Sequence, residues 1–298
     1  MSESQRSAVG RADAFADSGL AHELAATYIG GVRFDVVTRL QALERMTEFV
    51  LQGRPHLICT PNLDHVVQCQ TDVAFREVIN RSSLSVADGM GVVYASRLLG
   101  RGLPETVGGR LLLLDFCRVA ARKGYRVFLL GGEPGIAESA AMALVAMFPG
   151  LQVVGTFAPP MEFELDSTAN EQCVRAVRAA APQALFVAFG APKQEKWLSK
   201  NFTHMNVPVS MGVGYAFDLL AEKFPTPPHW MTSTGLEWAF RLWHDPRRLA
   251  KRYLWRDLTF FQILLFETAR RRTMLTRIFR PKKGRTRLDR AEKLVTKD

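Results

Sequence analysis

Short apolar runs alternate along this chain with longer segments in which apolar residues recur every three or four positions. The short runs are typical of buried strands, and the periodic segments predict amphipathic helices. The predicted strands are 32–37, 56–60, 84–87, 126–130, 151–156, 184–189 and 207–211. The predicted helices are 38–52, 73–80, 91–99, 111–123, 135–148, 171–180 and 192–200. This alternation predicts an α/β fold with a mostly parallel sheet covered by helices on both faces.

The regular alternation stops at Thr226-Pro227-Pro228, and from Leu236 the pattern predicts helix with basic and aromatic faces. We therefore expect a Rossmann-like α/β core over residues 25–222, followed by a helical appendage over 223–278. The polar ends, 1–24 and 279–298, are predicted to be disordered tails, because they contain too little apolar surface to pack.

Positive charge is concentrated in the last part of the chain. Residues 236–298 contain 18 Lys and Arg against 7 Asp and Glu, a net +11, whereas the rest of the chain carries a net −1. A basic segment of this kind favours an anionic membrane surface or a nucleic acid as its partner. The interleaved Trp238, Trp243 and Trp255 favour lipid, although aromatic and basic residues together also suit single-stranded nucleic acid.

No segment predicts a membrane crossing or a metal site. The longest apolar run near the end, 258–266, has nine residues and includes two polar ones, well short of the ~20 that span a bilayer. The start has no apolar core of a secretory signal, so we expect a cytoplasmic protein. The four cysteines show no metal-ligand spacing and are expected to be buried thiols. They are Cys59, Cys69, Cys117 and Cys173.

The strongest candidate for a ligand site is the segment 184–197, in which an apolar strand meets a predicted helix through Gly190 and Pro192. Gly permits a tight turn, and Pro suits the first turn of a helix. A helix that begins just beyond a parallel strand offers free N–H groups to an anion. Gln194 and Glu195 add an amide and a carboxylate there, although charged residues in a first helical turn are also common surface features.

Asp88 is the candidate general base, because it follows a predicted strand and precedes Gly89 and Gly91. A carboxylate in that position can take a proton from an acceptor hydroxyl, or it can simply cap the next helix. Thr60 and Asn62 follow another strand and can bind sugar hydroxyls or orient Asp88. Turn formation by Thr-Pro-Asn is the alternative.

Two further glycine turns are candidates for nucleotide contacts. Gly131 and Gly132 connect a strand to a helix, but their spacing lacks a dinucleotide-binding fingerprint, so a plain tight turn remains an alternative. Asp218 follows the last predicted strand, where it can face a nucleotide or lie on a helix surface. The sequence contains neither a DxD-type dicarboxylate nor an H-E-x-x-H motif, and we expect no metal and no other cofactor.

Four blocks occur in the order found in the WecG/TagA/CpsF family of bacterial glycosyltransferases, and the chain resembles that family over about 32–254. The blocks are Thr60-Pro61-Asn62, Ala87 to Val93, Gly190 to Trp197, and Gly212 to Asp218 with the segment that leads to Arg248. The resemblance implies an inverting, metal-independent hexosyltransferase for polysaccharide biosynthesis. Its donor would be a UDP-sugar carrying a hexose or N-acetylhexosamine, and its acceptor a polyprenyl-diphosphate-linked saccharide.

The resemblance also implies roles for particular residues. Asp88 would be the base, with Thr60 and Asn62 in the cleft, and Gly131, Gly132, Gly190, Pro192, Gln194, Glu195 and Asp218 would hold the nucleotide-sugar. The appendage would close over the acceptor diphosphate at the inner face of the cell membrane. Its candidate contacts there are Arg241, Arg248, Lys251 and Arg252.

The chain departs from the family pattern R-V-x-G-[ST]-D, which here reads Thr106 to Leu111 and lacks both the Arg and the Asp. Because this segment is expected near the cleft, N-acetylmannosamine is not assumed as the donor sugar. Two rival functions remain from the residues: a Rossmann-like nucleic-acid-binding protein with a basic tail, and a dinucleotide-dependent oxidoreductase. The second requires a G-x-G-x-x-G turn, which neither glycine turn provides.

Overall fold

The computed structural model describes residues 24–160, 163, 166–222, 231, 240, 243 and 258–269. Within these residues a six-stranded parallel sheet has the order β4-β3-β8-β7-β5-β6. Its strands are β3 (His56–Cys59), β4 (Leu84–Ser85), β5 (Arg126–Gly131), β6 (Gln152–Phe157), β7 (Ala184–Ala188) and β8 (Val209–Gly212). The predicted α/β fold with a Rossmann-like parallel sheet is therefore confirmed.

The predicted strand 32–37 lies outside this sheet. It forms β2 (Val32–Asp35), which pairs antiparallel with β1 (Ala26–Ile29), a strand that the sequence analysis missed. The hairpin is held beside β4, because the Asp35 carboxylate accepts from the Ser85 N–H at 2.8 Å and from the Arg33 guanidinium at 3.0 Å. An apolar run can predict a strand, but it does not specify the partner of that strand.

The predicted helices are also present, with bounds shifted by a few residues. Up to residue 222, the helices of the described residues are α1 (Arg39–Gln52), α2 (Leu63–Gln68), α3 (Val73–Arg81), α4 (Met90–Leu98), α5 (Gly109–Lys123), α6 (Ile136–Met147), α7 (Ser167–Ala180), α8 (Lys193–Met205) and α9 (Ala216–Leu220). The short helices α2 and α9 were not predicted, since five or six residues contain too little periodicity to be recognised.

Apolar side chains pack on both faces of the sheet, and successive strand residues contribute to opposite faces. Leu57 and Cys59 belong to one hydrophobic cluster and Ile58 to the other. In β7, Leu185 and Val187 face the first cluster, whereas Phe186 faces the second. This period of two explains why the strands read as continuous apolar runs in the sequence.

A helical segment at 258–269 packs against the first of these clusters. Phe260 and Leu264 are buried in it. Glu267 accepts hydrogen bonds from the Gly30 N–H at 2.8 Å and from the Arg101 guanidinium at 2.9 Å. Part of the predicted appendage thus belongs to the same packed unit as residues 25–222. Most of the remaining appendage and both predicted tails, apart from Leu24, lie outside the described residues.

The buried residues include all four cysteines, which are free thiols as expected. Burial raises the pKa of Cys69, Cys117 and Cys173 to about 12. None of the helices in the described part of the chain combines the length and hydropathy that a membrane crossing requires.

His56 makes the stability of the fold depend on pH. Burial, followed by the charges of Arg54 and Arg45, lowers its pKa from 6.5 to about 4. The neutral ring bonds to Ser83 and Gln52. As the pH falls from 6.5 to about 4, His56 becomes protonated in the unfolded chain but stays neutral in the folded chain. We therefore expect the free energy of unfolding to fall over this range by at most about 3 kcal/mol.

Urea denaturation at a series of pH values measures this effect. His56→Gln retains polar side-chain atoms without the titration, so its stability should vary less between pH 7 and 4 than that of the wild type. Identical pH dependence in the two proteins would contradict the assignment to His56.

Candidate active site

The predicted site residues of the core follow strands at one edge of the sheet, because parallel strands bring their carboxyl ends together. Hydrogen bonds link neighbouring loops along this edge. The Asp88 N–H donates to the Pro61 carbonyl at 3.0 Å, and the Gly132 N–H donates to the Ala188 carbonyl at 3.0 Å. The Gly214 N–H donates to Gln194 Oε1 at 3.0 Å. Segments far apart in sequence thus form one continuous rim.

Asp88 lies half-buried just beyond β4, beside the start of α5. A Cβ built on Gly108 would lie 3.2 Å from Asp88 Oδ1. Gly89 is the N-cap of α4 and offers no capping side chain. The role of Asp88 as general base stays a prediction.

Thr60 lies next to Asp88 across the start of α5. Its Oγ1 would be 3.1 Å from a Cβ built on Gly109, so the absence of side chains at Gly108 and Gly109 lets both polar groups approach the helix backbone. The N-cap of α5 is Gly108, which offers no capping side chain. The free N–H groups of a first helical turn favour negative charge, and here they lie beside the Asp88 carboxylate.

Thr106 and Val107, in the segment that departs from the family pattern, hold the loop that carries Asp88. Thr106 Oγ1 accepts from the Gly89 N–H at 2.8 Å and donates to the Ala87 carbonyl at 3.3 Å. The Val107 N–H donates to the same carbonyl at 2.7 Å. Thr106, in the place of the family's Arg, thus holds the loop that carries Asp88.

Asn62 is the N-cap of α2. Its Oδ1 accepts from the backbone N–H groups of Asp64 at 2.9 Å and His65 at 3.3 Å. Asn62 therefore has a local structural role, as the turn-forming alternative expected, because its side chain caps this helix. Its Nδ2 has no partner within the described ranges, which leaves two amide hydrogens for a ligand.

Gln194 and Glu195 lie behind the rim rather than on its surface, with exposed fractions of 4% and 2%. Gln194 Nε2 donates to Glu195 Oε1 at 2.7 Å, and Gln194 packs so closely on β8 that a Cβ on Gly212 would lie 2.6 Å from Nε2. Surface charge is thus the wrong interpretation of Glu195. The geometry assigns these side chains to holding the Gly214 turn, and direct nucleotide contact remains a prediction.

The glycine turns have backbone conformations that require glycine. Gly131 has φ +108°, and a Cβ there would lie 2.7 Å from the Ala188 carbonyl oxygen. Gly132 and Gly190 also have positive φ, +79° and +76°. Gly190 and Pro192 precede α8, and Gly131 and Gly132 precede α6, so both turns lead into helix N-termini as expected.

Asp218 lies half-buried in the first turn of α9, just beyond β8. The proposed diphosphate contacts Arg241, Arg248, Lys251 and Arg252 lie outside the described residues. His65 was not predicted as a site residue, yet it is 8% exposed and its ring lies between Asn62 and Glu195. Its position three residues after Asn62, the spacing of a capping box, could have indicated its contact with Asn62.

Within the described ranges, no group of three or more His, Cys, Asp or Glu side chains is arranged to hold a metal ion. A surface groove of about 650 Å³ between α6 and β6 is lined by residues such as Met142 and Val145, and it contains none of the candidate site residues.

This parallel sheet, with its polar side chains and glycine turns along the carboxyl edge, is that of a Rossmann-like α/β protein with a candidate ligand site at that edge. The model of the glycosyl transferase WecG/TagA/CpsF family matches residues 27–274, and the chain belongs to this family. It is therefore a glycosyltransferase.

Relatives from Staphylococcus aureus strains MW2, NCTC 8325 / PS 47 and COL are each 32% identical to this chain over 224 residues. The similarity covers 74% of this chain and 85% of each relative. These three proteins are named N-acetylglucosaminyldiphosphoundecaprenol N-acetyl-beta-D-mannosaminyltransferase.

The double variant Gln194→Ala/Glu195→Ala should bind UDP more weakly than the wild type. The reason is that the Gly214 N–H loses its acceptor, Gln194 Oε1, and the hydrogen bond between Gln194 and Glu195 at the start of α8 is removed. Titration calorimetry with UDP measures the change, and Lys200→Ala, at an exposed position on the same helix, is the control. Unchanged UDP affinity in the double variant would show that the two side chains do not shape the nucleotide site.

Proposed function

We propose that this chain transfers a hexose or N-acetylhexosamine from a UDP-sugar to a polyprenyl-diphosphate-linked saccharide in bacterial surface polysaccharide biosynthesis. Family membership and the acceptor and transferred sugar in the relatives' name support this reaction class. The observation that carries the proposal is the position of Asp88. Its carboxylate lies beside the start of α5, and its backbone N–H bonds to Pro61, the residue between Thr60 and Asn62.

In the proposed reaction, Asp88 accepts the proton of the acceptor hydroxyl as its oxygen bonds to the anomeric carbon. The bond from that carbon to the UDP phosphate oxygen breaks, and UDP leaves from the opposite face. The anomeric configuration is therefore inverted. Thr60 and the free amide hydrogens of Asn62 hold sugar hydroxyls during this step.

The nucleotide is proposed to bind along the glycine turns. Gly131, Gly132 and Gly190 allow the diphosphate to approach the backbone, and the N-termini of α6 and α8 favour its negative charge. Pro192 maintains the Gly190 turn, Gln194 and Glu195 maintain the Gly214 turn, and Asp218 faces the nucleoside. Arg241, Arg248, Lys251 and Arg252 would neutralise the acceptor diphosphate.

We propose a peripheral location at the inner face of the cell membrane. The net +11 of residues 236–298 supports it, since each basic residue near an anionic surface contributes about 1 kcal/mol. The exposed Phe261, Leu265 and Phe266 on the 258–269 helix add apolar groups suited to the same surface.

A mass-spectrometric screen tests the reaction. UDP-sugars are incubated pairwise with short polyprenyl-diphosphate-linked saccharides, and a product one sugar heavier is expected together with UDP. Absence of any such product across hexose and N-acetylhexosamine donors, with the folded full chain, would refute the proposed transfer. Salt-sensitive binding to single-stranded RNA or DNA instead would favour the nucleic-acid alternative.

Chelation should leave turnover intact, because helix N-termini and basic side chains are proposed to balance the charge of the departing diphosphate. Rates are measured with excess EDTA and again after addition of Mg²⁺ or Mn²⁺. Activity that disappears with EDTA and returns with either ion would contradict metal-independent transfer.

A further inference from the structure

The buried His65 ring lies between Asn62 and Glu195, two residues of the site that are far apart in sequence. On one side, His65 Nδ1 lies 2.8 Å from Asn62 Oδ1 and 3.3 Å from the Asn62 backbone nitrogen. On the other side, His65 Nε2 lies 3.8 Å from Glu195 Oε1. Nδ1 contacts Asn62 in either tautomer, as a donor to Oδ1 or as an acceptor from the backbone N–H.

From Glu195 the contacts continue to a third strand end. Glu195 Oε1 accepts from Gln194 Nε2, and Gln194 Oε1 accepts from the Gly214 N–H. We call the series Asn62, His65, Glu195, Gln194 and Gly214 the buried brace. It connects the ends of β3, β7 and β8, so the acceptor side and the nucleotide side of the rim are joined beneath the surface.

The buried brace lowers the stability of the fold, and this favours a positioning role for it over a stabilising one. Glu195 is 2% exposed, and its Oε2 has no hydrogen-bond partner among the residues that the structure describes. A buried carboxylate with unmet hydrogen-bonding capacity destabilises a protein relative to an apolar side chain of similar size. The Nε2 edge of His65 packs against this carboxylate, with Nε2 3.8 Å from Oε1.

We propose that His65 is a positioning residue of the transferase, which holds Asn62 at a fixed distance from the nucleotide side of the site. The proposal rests on the proposed function, in which Asn62 binds a sugar and the Gly190 and Gly214 turns lie beside the nucleotide. Errors of about 1 Å in the positions of reacting groups can lower rates by about 10²-fold. Loss of the His65 contacts should therefore reduce turnover without removing any group that touches substrate.

Three replacements separate the two contacts of the ring. His65→Asn retains an amide near the position of Nδ1, and His65→Gln retains one near the position of Nε2, whereas His65→Leu retains neither. Phe75→Leu is the matched control, because Phe75 is buried and its ring centroid lies 5.6 Å from that of His65, but its side chain makes no polar contact with the brace. It removes packing next to the brace and leaves the polar contacts intact.

At a temperature where all variants are folded, kcat of His65→Leu should fall by about 10-fold or more, while Phe75→Leu stays within about 3-fold of the wild type. His65→Asn and His65→Gln should recover part of kcat. His65→Gln, which lacks the Asn62 contact, should also have the higher KM for the acceptor. Equal kcat for His65→Leu and Phe75→Leu at matched stability would overturn the proposal.

A second measurement does not depend on activity. Hydrogen exchange of the Gly214 N–H should be faster in His65→Leu than in Phe75→Leu, because its acceptor Gln194 is held through Glu195. Equal exchange at Gly214 in these two variants would refute the brace even if no transfer reaction were found. Faster exchange without any sugar transfer by the wild type would leave the brace in place and refute the proposed function.

Discussion

Asp88→Asn is expected to lower sugar transfer by roughly 10²-fold or more, the scale of general-base catalysis, while fold and UDP affinity stay close to wild type. The amide is nearly the same size as the carboxylate but cannot accept the proton of the acceptor hydroxyl. The backbone bond from the Asp88 N–H to Pro61 does not involve the side chain and remains. Single-turnover rates with saturating donor measure the chemical step.

Asp166→Asn is the matched control for this prediction. Asp166 caps α7 through bonds from the Thr168 and Ala169 N–H groups, which Asn can also accept, and it lies outside the candidate site. The control should transfer sugar at the wild-type rate. Near-wild-type turnover in Asp88→Asn would remove Asp88 from the mechanism, and loss of UDP binding together with activity would assign it to the donor site instead.

Truncation after Ala221 is expected to destabilise the core by about 4 kcal/mol or more, the scale of emptying two large apolar sites. The reason is that Phe260 and Leu264 fill part of the hydrophobic cluster and Glu267 bonds to Gly30 and Arg101, all from beyond the predicted end of the core at residue 222. Urea denaturation of the full and truncated chains measures the difference.

Two double variants of the 258–269 helix separate its packing from its exposed surface. Phe260→Ala/Leu264→Ala removes buried side chains and should reproduce most of the loss of stability. Phe261→Ala/Leu265→Ala removes side chains of the same types that are 66% and 68% exposed. The second variant should keep the wild-type stability but bind anionic vesicles more weakly. The reverse assignment of stability and vesicle binding would contradict this division of the helix.

Several parts of the site were predictable because they depend on local chemistry. Gly131 and Gly190 stand where the backbone takes positive φ, which favours glycine regardless of distant contacts. Asp88, Thr60 and Asn62 follow apolar strands, and strand ends in a parallel sheet share one edge. The burial of Gln194 and Glu195 was not predictable, since a polar pair in a first helical turn usually lies at the surface.

The sequence by itself determined the α/β alternation, the glycine turns and the strand-end residues, because these depend on periodicity and backbone sterics within a few residues. Tertiary structure alone decided which strands are neighbours, and therefore that β3, β8 and β7 bring Asn62, Gly214 and Glu195 together. It also decided that β2 joins a hairpin and that the 258–269 helix completes the core. Those outcomes depend on contacts between segments up to 237 residues apart, such as Gly30 with Glu267, and local patterns carry no information about such pairs.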